Sequence, residues 1–111
     1  MAYDRELADR IRLLIGTDAG FTEKKMFGGL AFLIGGNMAI AASGQGGALV
    51  RVDPQQSGDL IAATRASMME MRGRPMPGWL RISSEDLRSD GELAIWVDRG
   101  TSYARSLPPK P

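Results

Sequence analysis

Basic side chains and one tryptophan are the residues of this chain that could contact a polyanion. If the strands that carry them align, the cations could converge, and an aromatic ring beside them could stack on an unpaired base. The candidate set is Lys24, Lys25, Arg51, Arg72, Arg74, Trp79 and Arg81. Against this, 14 basic and 13 acidic residues give a formal net charge of only +1, so the chain lacks the strong positive field of many nucleic-acid binders. Nucleic-acid binding is therefore an alternative, not the preferred function.

Catalytic chemistry has few candidate groups. The chain contains no histidine and no cysteine, so catalysis would depend on carboxylates, lysine or tyrosine, and no paired arrangement of these stands out. Ser43, Ser57 and Ser102 have no evident base to activate them. The same two absences remove the common transition-metal ligand sets. We predict a protein that is not an enzyme and holds no metal or cofactor, with a small ligand-binding protein as a further alternative.

Two other patterns could belong to binding sites. Residues 27–30 (FGGL) are glycine-rich, but they open no helix and no Lys-Ser or Lys-Thr follows, so a bulged or closely approached strand is favoured over a phosphate loop. Four methionines fall within nine positions and could line an adaptable binding surface, because thioether side chains are flexible. These are Met68, Met69, Met71 and Met76. Packing in a core or sheet is the preferred interpretation of the methionines.

Hydrophobic spacing predicts the helices that must position these residues. Apolar positions recur at helical spacing from Asp4 to Ile15 and indicate an amphipathic helix that ends near Gly16. Asp53 followed by Pro54 is typical of a helix start, and this second helix extends to about Ala63. A capping box at residues 89–92 begins a third helix, which the prolines at 108–109 end.

The remaining segments indicate five strands. The first three are residues 24–34, 38–42 and 48–52, joined by glycine-rich turns at 35–37 and 43–47. A fourth covers 68–72 and a fifth covers 79–82, with a turn or irregular loop at 73–78 because prolines lack the N–H that a strand donates. The resulting order is α-β-β-β-α-β-β-α in a single domain of residues 1–111. Its short connections favour antiparallel pairing, which indicates an α+β fold.

The predicted strand 24–34 is apolar on both faces. Side chains alternate along a strand, which gives one set of Met26, Leu30, Phe32 and Ile34 and a second set of Phe27, Ala31 and Leu33. Helices on one layer can cover only one face, so the second set must be buried by something else. Two alternatives stay open. One is a homodimer or protein-partner interface centred on that second set, and the other is a loop or the methionine-rich segment folding across it.

No segment of the chain has the pattern of a targeting or membrane-spanning sequence. Residues 1–6 lack the apolar run of a signal peptide, and no apolar stretch approaches the roughly 18 residues that cross a bilayer. We therefore expect a cytoplasmic protein without membrane contact.

Three segments, in this order, resemble the N-terminal domain of the TfoX/Sxy competence regulators: residues 23–32 (EKKMFGGLAF), 73–79 (GRPMPGW) and 96–108. The resemblance covers almost the whole chain. It implies a two-layer α+β fold similar to type III secretion chaperones, with the helices on one face of an antiparallel sheet. Longer members carry a second domain and help to activate DNA-uptake genes together with a cyclic-AMP receptor protein. Because this chain ends at Pro111, we expect a stand-alone member, a regulator that acts through protein contacts, and the family provides no catalytic motif to transfer.

Overall fold

The computed structural model of this chain describes residues 3–16, 20–26 and 28–110. Phe27, one of the predicted interface residues, lies outside the described residues. The helices are α1 (Arg5–Ile15), α2 (Ser57–Ala63) and α3 (Asp90–Ser106). The strands are β1 (Phe21–Met26), β2 (Gly29–Ile34), β3 (Asn37–Ala42), β4 (Ala48–Arg51), β5 (Ser67–Met71) and β6 (Arg74–Ile82).

The first and last helices begin where the sequence predicts. The side chain of Asp4 accepts a hydrogen bond from the backbone N–H of Leu7 at 3.1 Å, and the hydroxyl of Ser89 accepts one from the N–H of Glu92 at 3.3 Å. Each cap satisfies a backbone donor that the first turn of a helix leaves unpaired. Both predicted helix starts are therefore confirmed.

The strands form one antiparallel sheet in the order β1-β2-β3-β4-β6-β5. The main core lies between this sheet and the helices, and its fully buried members include Ile11, Phe32, Ile40, Leu80 and Leu93. Because residues of α1 and α3 belong to this cluster together with one face of the sheet, the α+β class with helices on one face is confirmed.

The prediction of one continuous strand at 24–34 is wrong. The chain reverses between Met26 and Gly29, so the segment contains the end of β1, a turn and β2, which pair with each other in an antiparallel hairpin. The sheet consequently has six strands instead of five. The reversal also places the side chain of Met26 on the other face of the sheet from that of Leu30. The alternation of side chains between the two faces does not continue through a turn. In the FGGL segment, Gly29 is closely approached as predicted, since a Cβ there would overlap the carbonyl oxygen of Ala42.

The prediction of an irregular loop at 73–78 is also wrong, because β6 begins at Arg74. Strand β4 pairs with β6 only from Trp79 onward, so over residues 74–78 strand β6 has a neighbour on the β5 side alone. Proline is tolerated in a strand where its missing N–H faces no partner. The two prolines at 75 and 77 therefore occupy the part of β6 with one neighbouring strand.

An ion pair fastens α1 to the first edge of the sheet. The guanidinium of Arg12 donates to both carboxylate oxygens of Glu23, with the Nη2 contact at 2.8 Å, and lies 5.9 Å from the ring centre of Phe32. The hydrogen bond from Arg12 lowers the pKa of Glu23 below its usual range, against the opposing effect of burial. A bidentate geometry of this kind fixes the orientation of both side chains.

Candidate functional site

The sheet has a second buried cluster on the face that points away from the helices, which we call the open face. Its members are Ala31, Met38, Ala41, Leu49 and Met69, and Met26, Met76 and Trp79 pack against them. Every one of these residues lies on a strand, so in the described part of the chain no helix residue belongs to the cluster. Since Met69, Met76 and Trp79 come from β5 and β6, side chains of this hairpin contribute to the cluster on the open face.

Strong curvature brings the two edges of the sheet together over this face. Strands β1 and β5 are five steps apart in the sheet order, which in a flat sheet would separate them by roughly 24 Å at about 4.8 Å a step. Met26 at the end of β1 and Met71 at the end of β5 nevertheless line the same cavity. The β5–β6 hairpin must therefore curl back toward the β1–β2 turn.

A bend at Gly78 accounts for this curl, because φ is 90° there and the pairing of β5 with β6 is irregular between Met68 and Glu70. Its N–H donates a 2.7 Å hydrogen bond to the buried hydroxyl of Ser57, and its carbonyl accepts one of 2.8 Å from the N–H of Val52. Both contacts lie next to the last β4–β6 pair, Arg51 with Trp79. Strand β6 is thus anchored at the end of its pairing with β4.

Between the hairpin and the other strands remains a cavity of about 280 Å³, which we call the groove. It is lined by Met26, Gly29, Ala31, Met38, Ala41, Ala42, Ser43, Gly44, Gln45, Leu49, Met69, Glu70, Met71, Arg72 and Arg81. Its floor is made by the buried cluster of the open face, whereas Met71 at the rim is 39% exposed. Four thioether side chains that can adapt their rotamers therefore surround one apolar space.

A guanidinium without an acidic partner lies at one end of the groove. Arg81 is opposite Leu49 in the sheet register and is half-buried, and its Nη1 donates a 3.2 Å hydrogen bond to the hydroxyl of Ser43. Among the described residues, no carboxylate forms an ion pair with it. The other charged residues lining the groove, Arg72 and Glu70, are exposed, so the groove carries an excess of one positive charge.

The structure does not bring the predicted basic residues into one patch. Arg72 and Arg81 line the groove, while Arg74 begins β6 and Lys25 lies opposite Leu30, whose side chain belongs to the helix side of the sheet. Lys24 is exposed and lies opposite Ala31, on the open face. The predicted cations therefore divide between the groove, the hairpin and the edge strand.

Trp79 is already in contact with a cation of this chain. The guanidinium of Arg51 lies 5.1 Å from the ring centre of Trp79 and 5.7 Å from that of Tyr103 on α3. Such cation–π contacts tie the end of β4 to β6 and to the helical layer. One face of the indole is thus in contact with Arg51 and not open to an unpaired base.

Of the predicted interface residues that the structure describes, Ala31 lines the groove and Leu33 does not. Ala31 is 1% exposed and forms part of the groove floor. Leu33 is half-buried opposite Met38, and Phe27 lies outside the described residues. An interface on this face would therefore use the groove and its rim more than the side chains of Ala31 and Leu33.

Sequence reasoning did not identify Met26, Met38, Ser43 and Leu49 as groove residues. Met26 and Met38 could have been grouped with the later methionines by residue type, but their meeting depends on contacts between strands that are distant in the sequence. Within residues 3–16, 20–26 and 28–110, no group of three or more acidic, histidine or cysteine side chains could hold a metal ion. In the same part of the chain, none of the helices combines the length and apolarity needed to cross a membrane.

Together, the helix-covered sheet and the apolar groove on its open face define an α+β domain with a preformed cavity. The family model of the TfoX N-terminal domain matches residues 16–104. The chain therefore belongs to the TfoX N-terminal domain family, and the match includes all of the first two segments on which the resemblance rests and most of the third. A search among curated proteins found no match.

Proposed function

We propose that this chain is a non-enzymatic, regulatory interaction domain that binds a protein partner in the groove on the open face of its sheet. Membership of the TfoX N-terminal domain family supports a regulatory, competence-related role. The observation that carries the proposal is the groove, because it combines a methionine-rich apolar lining with a charged rim on the one face that no described helix covers.

The size and composition of the groove favour a segment of protein over a small ligand. Its volume of about 280 Å³ lies just below the roughly 300–1,000 Å³ of typical small-molecule sites, so it suits one or two apolar side chains. Flexible thioethers such as Met26, Met69 and Met71 can repack around different side chains, which is typical of surfaces that accept peptides. The partner, whether another protein or a second copy of this chain, would contact the rim with the rest of its surface.

This proposal predicts loss of the complex when the rim is made acidic. Met71→Glu places a charge beside the groove at an exposed position, so the fold should be retained while an apolar side chain no longer binds. The matched control is Leu13→Glu, which introduces the same charge at a residue of α1 that is 82% exposed. We expect affinity capture from native cytosol, with intact-mass measurement, to recover the same complex with the wild type and Leu13→Glu but not with Met71→Glu. Equal recovery with all three proteins would show that the groove is not the binding surface.

The proposal also predicts that nucleic acid is not the partner. The predicted cations are dispersed and the ring of Trp79 is in contact with Arg51, so neither a phosphate-binding stripe nor a free stacking surface is assembled. In gel-shift experiments with single- and double-stranded DNA we expect no complex even at about 50 mM salt, where phosphate contacts are strongest. A complex at low salt that disappears as salt is raised would instead favour the nucleic-acid alternative.

A further inference from the structure

We propose that the groove selects a peptide segment in which an apolar anchor side chain stands next to a carboxylate, and that Arg81 contacts this carboxylate. The inference rests on the proposed function and adds the chemistry of the partner. Three features carry it: the volume of the apolar space, the unpaired guanidinium at its end and the balance of charges around the rim.

The apolar space defines the anchor. Its floor is formed by side chains that are almost completely buried in the chain, such as Ala31 and Leu49, and its walls by thioethers from both edges of the sheet. An aliphatic or aromatic side chain that enters would exchange water contact for contact with these groups, which is favourable in proportion to the apolar area buried. Only a short segment can place such a side chain in about 280 Å³.

The guanidinium of Arg81 defines the neighbouring group. It is half-buried and its one hydrogen bond to a side chain is donated to the neutral hydroxyl of Ser43, which leaves most of its five N–H donors for a ligand. Partial burial of a charge without a counter-ion is unfavourable, and a carboxylate would compensate it. The planar fork of arginine matches the two oxygens of a carboxylate, so contact at this end of the groove would be directional.

The rim charges favour a singly charged acid over a phosphate group. Glu70 lines the groove together with Arg72 and Arg81, so the charges of the lining sum to +1. A singly charged acid would neutralise this charge, whereas a dianion would leave one negative charge uncompensated beside the apolar space. An aspartate, a glutamate or a chain-terminal carboxylate next to the anchor meets this balance.

Selection from a random peptide library displayed on phage, with the full chain as bait, tests the inference and the proposed function separately. We expect peptides that share an apolar residue adjacent to an acidic one and that fail to bind Met71→Glu. If the selected peptides depend on Met71 but carry no acidic residue, the groove binds peptides and the carboxylate inference is wrong. If no selected peptide depends on Met71, both the inference and the proposed function are contradicted.

The contribution of the carboxylate is measured on one selected peptide. Replacing its acidic residue by the corresponding amide should weaken binding to the wild type about tenfold, as expected for loss of a charge-assisted hydrogen bond. Arg81→Gln should weaken the acidic peptide equally and remove the preference over the amide, whereas Arg74→Gln, an exposed arginine of the same strand outside the groove, should not. The NMR signals of the methionine methyl groups locate the binding site. When the peptide binds, the signals of Met26, Met69 and Met71 should shift, whereas that of Met68, which packs on the helix side, should not. An amide peptide that binds as tightly as the acid would overturn the inference.

Discussion

Replacing Gly100 by alanine is expected to lower the free energy of unfolding by about 1–3 kcal/mol, the usual range for overpacking a core. Gly100 is buried on α3 where the helix crosses β3. A Cβ at this position would overlap the carbonyl oxygen of Ala39 and would stand 3.3 Å from Cγ1 of Val50. Since the obstacle is backbone of a central strand, the helix must move away from the sheet. That movement would loosen the core formed around Phe32.

The matched control for this prediction is Gly91→Ala in the same helix. Its Cβ would meet only the hydroxyl oxygen of Ser89, at an ordinary 3.6 Å. Alanine is favoured over glycine in helices by up to about 1 kcal/mol, so this variant should be unchanged or slightly more stable. Urea unfolding followed by circular dichroism measures both differences. If Gly100→Ala gained stability like Gly91→Ala, the close packing of α3 against β3 would be incorrect.

The elements of this fold that depend on short-range patterns could be predicted from the sequence. The caps at Asp4 and Ser89 and the glycine turn at 35–36 each act within a few residues, so residue type and spacing were sufficient to locate them. The split of 24–34 into two strands could not be seen in the same way. Apolar alternation looks alike in one long strand and in two short strands. The glycine pair at 28–29, where Gly28 has a φ of 75°, suits a bulge in one strand as well as a turn between two.

The candidate site was predictable in its composition but not in its geometry. The methionine-rich segment and the apolar second face of β2 were both visible, and so was the need to cover that face. Their meeting depends on the curvature of the whole sheet, to which contacts of residues distant in the sequence contribute, such as the bond between Gly78 and Ser57. Arg81 was identified only as one cation among several, because its lack of an acidic partner is a property of the folded chain.

The bend at Gly78 is expected to be the feature on which the groove depends most. Gly78→Ala should lower the free energy of unfolding by about 2–4 kcal/mol, the combined scale of a strained dihedral and of overpacking. At φ 90° a Cβ would stand 3.0 Å from the carbonyl oxygen of Val52 and 3.1 Å from Cγ of Pro54. The methyl signals of Met69 and Met71 should change in this variant, because relief of the contact requires the hairpin to lift from the open face.

Gly73→Ala separates the two causes of this effect. Gly73 lies at the tip of the same hairpin with φ 78°, but a Cβ there has no atom within 4 Å. The free energy of unfolding of Gly73→Ala should therefore fall only by the roughly 1–2 kcal/mol that a left-handed conformation costs. The methionine methyl signals of this variant should match those of the wild type. We expect a larger loss of stability in Gly78→Ala than in Gly73→Ala, and loss of peptide binding in Gly78→Ala alone. This result would show that close packing against Val52 and Pro54 holds the hairpin over the groove. Equal losses at the two glycines, with binding kept in both, would mean that the groove forms without this bend.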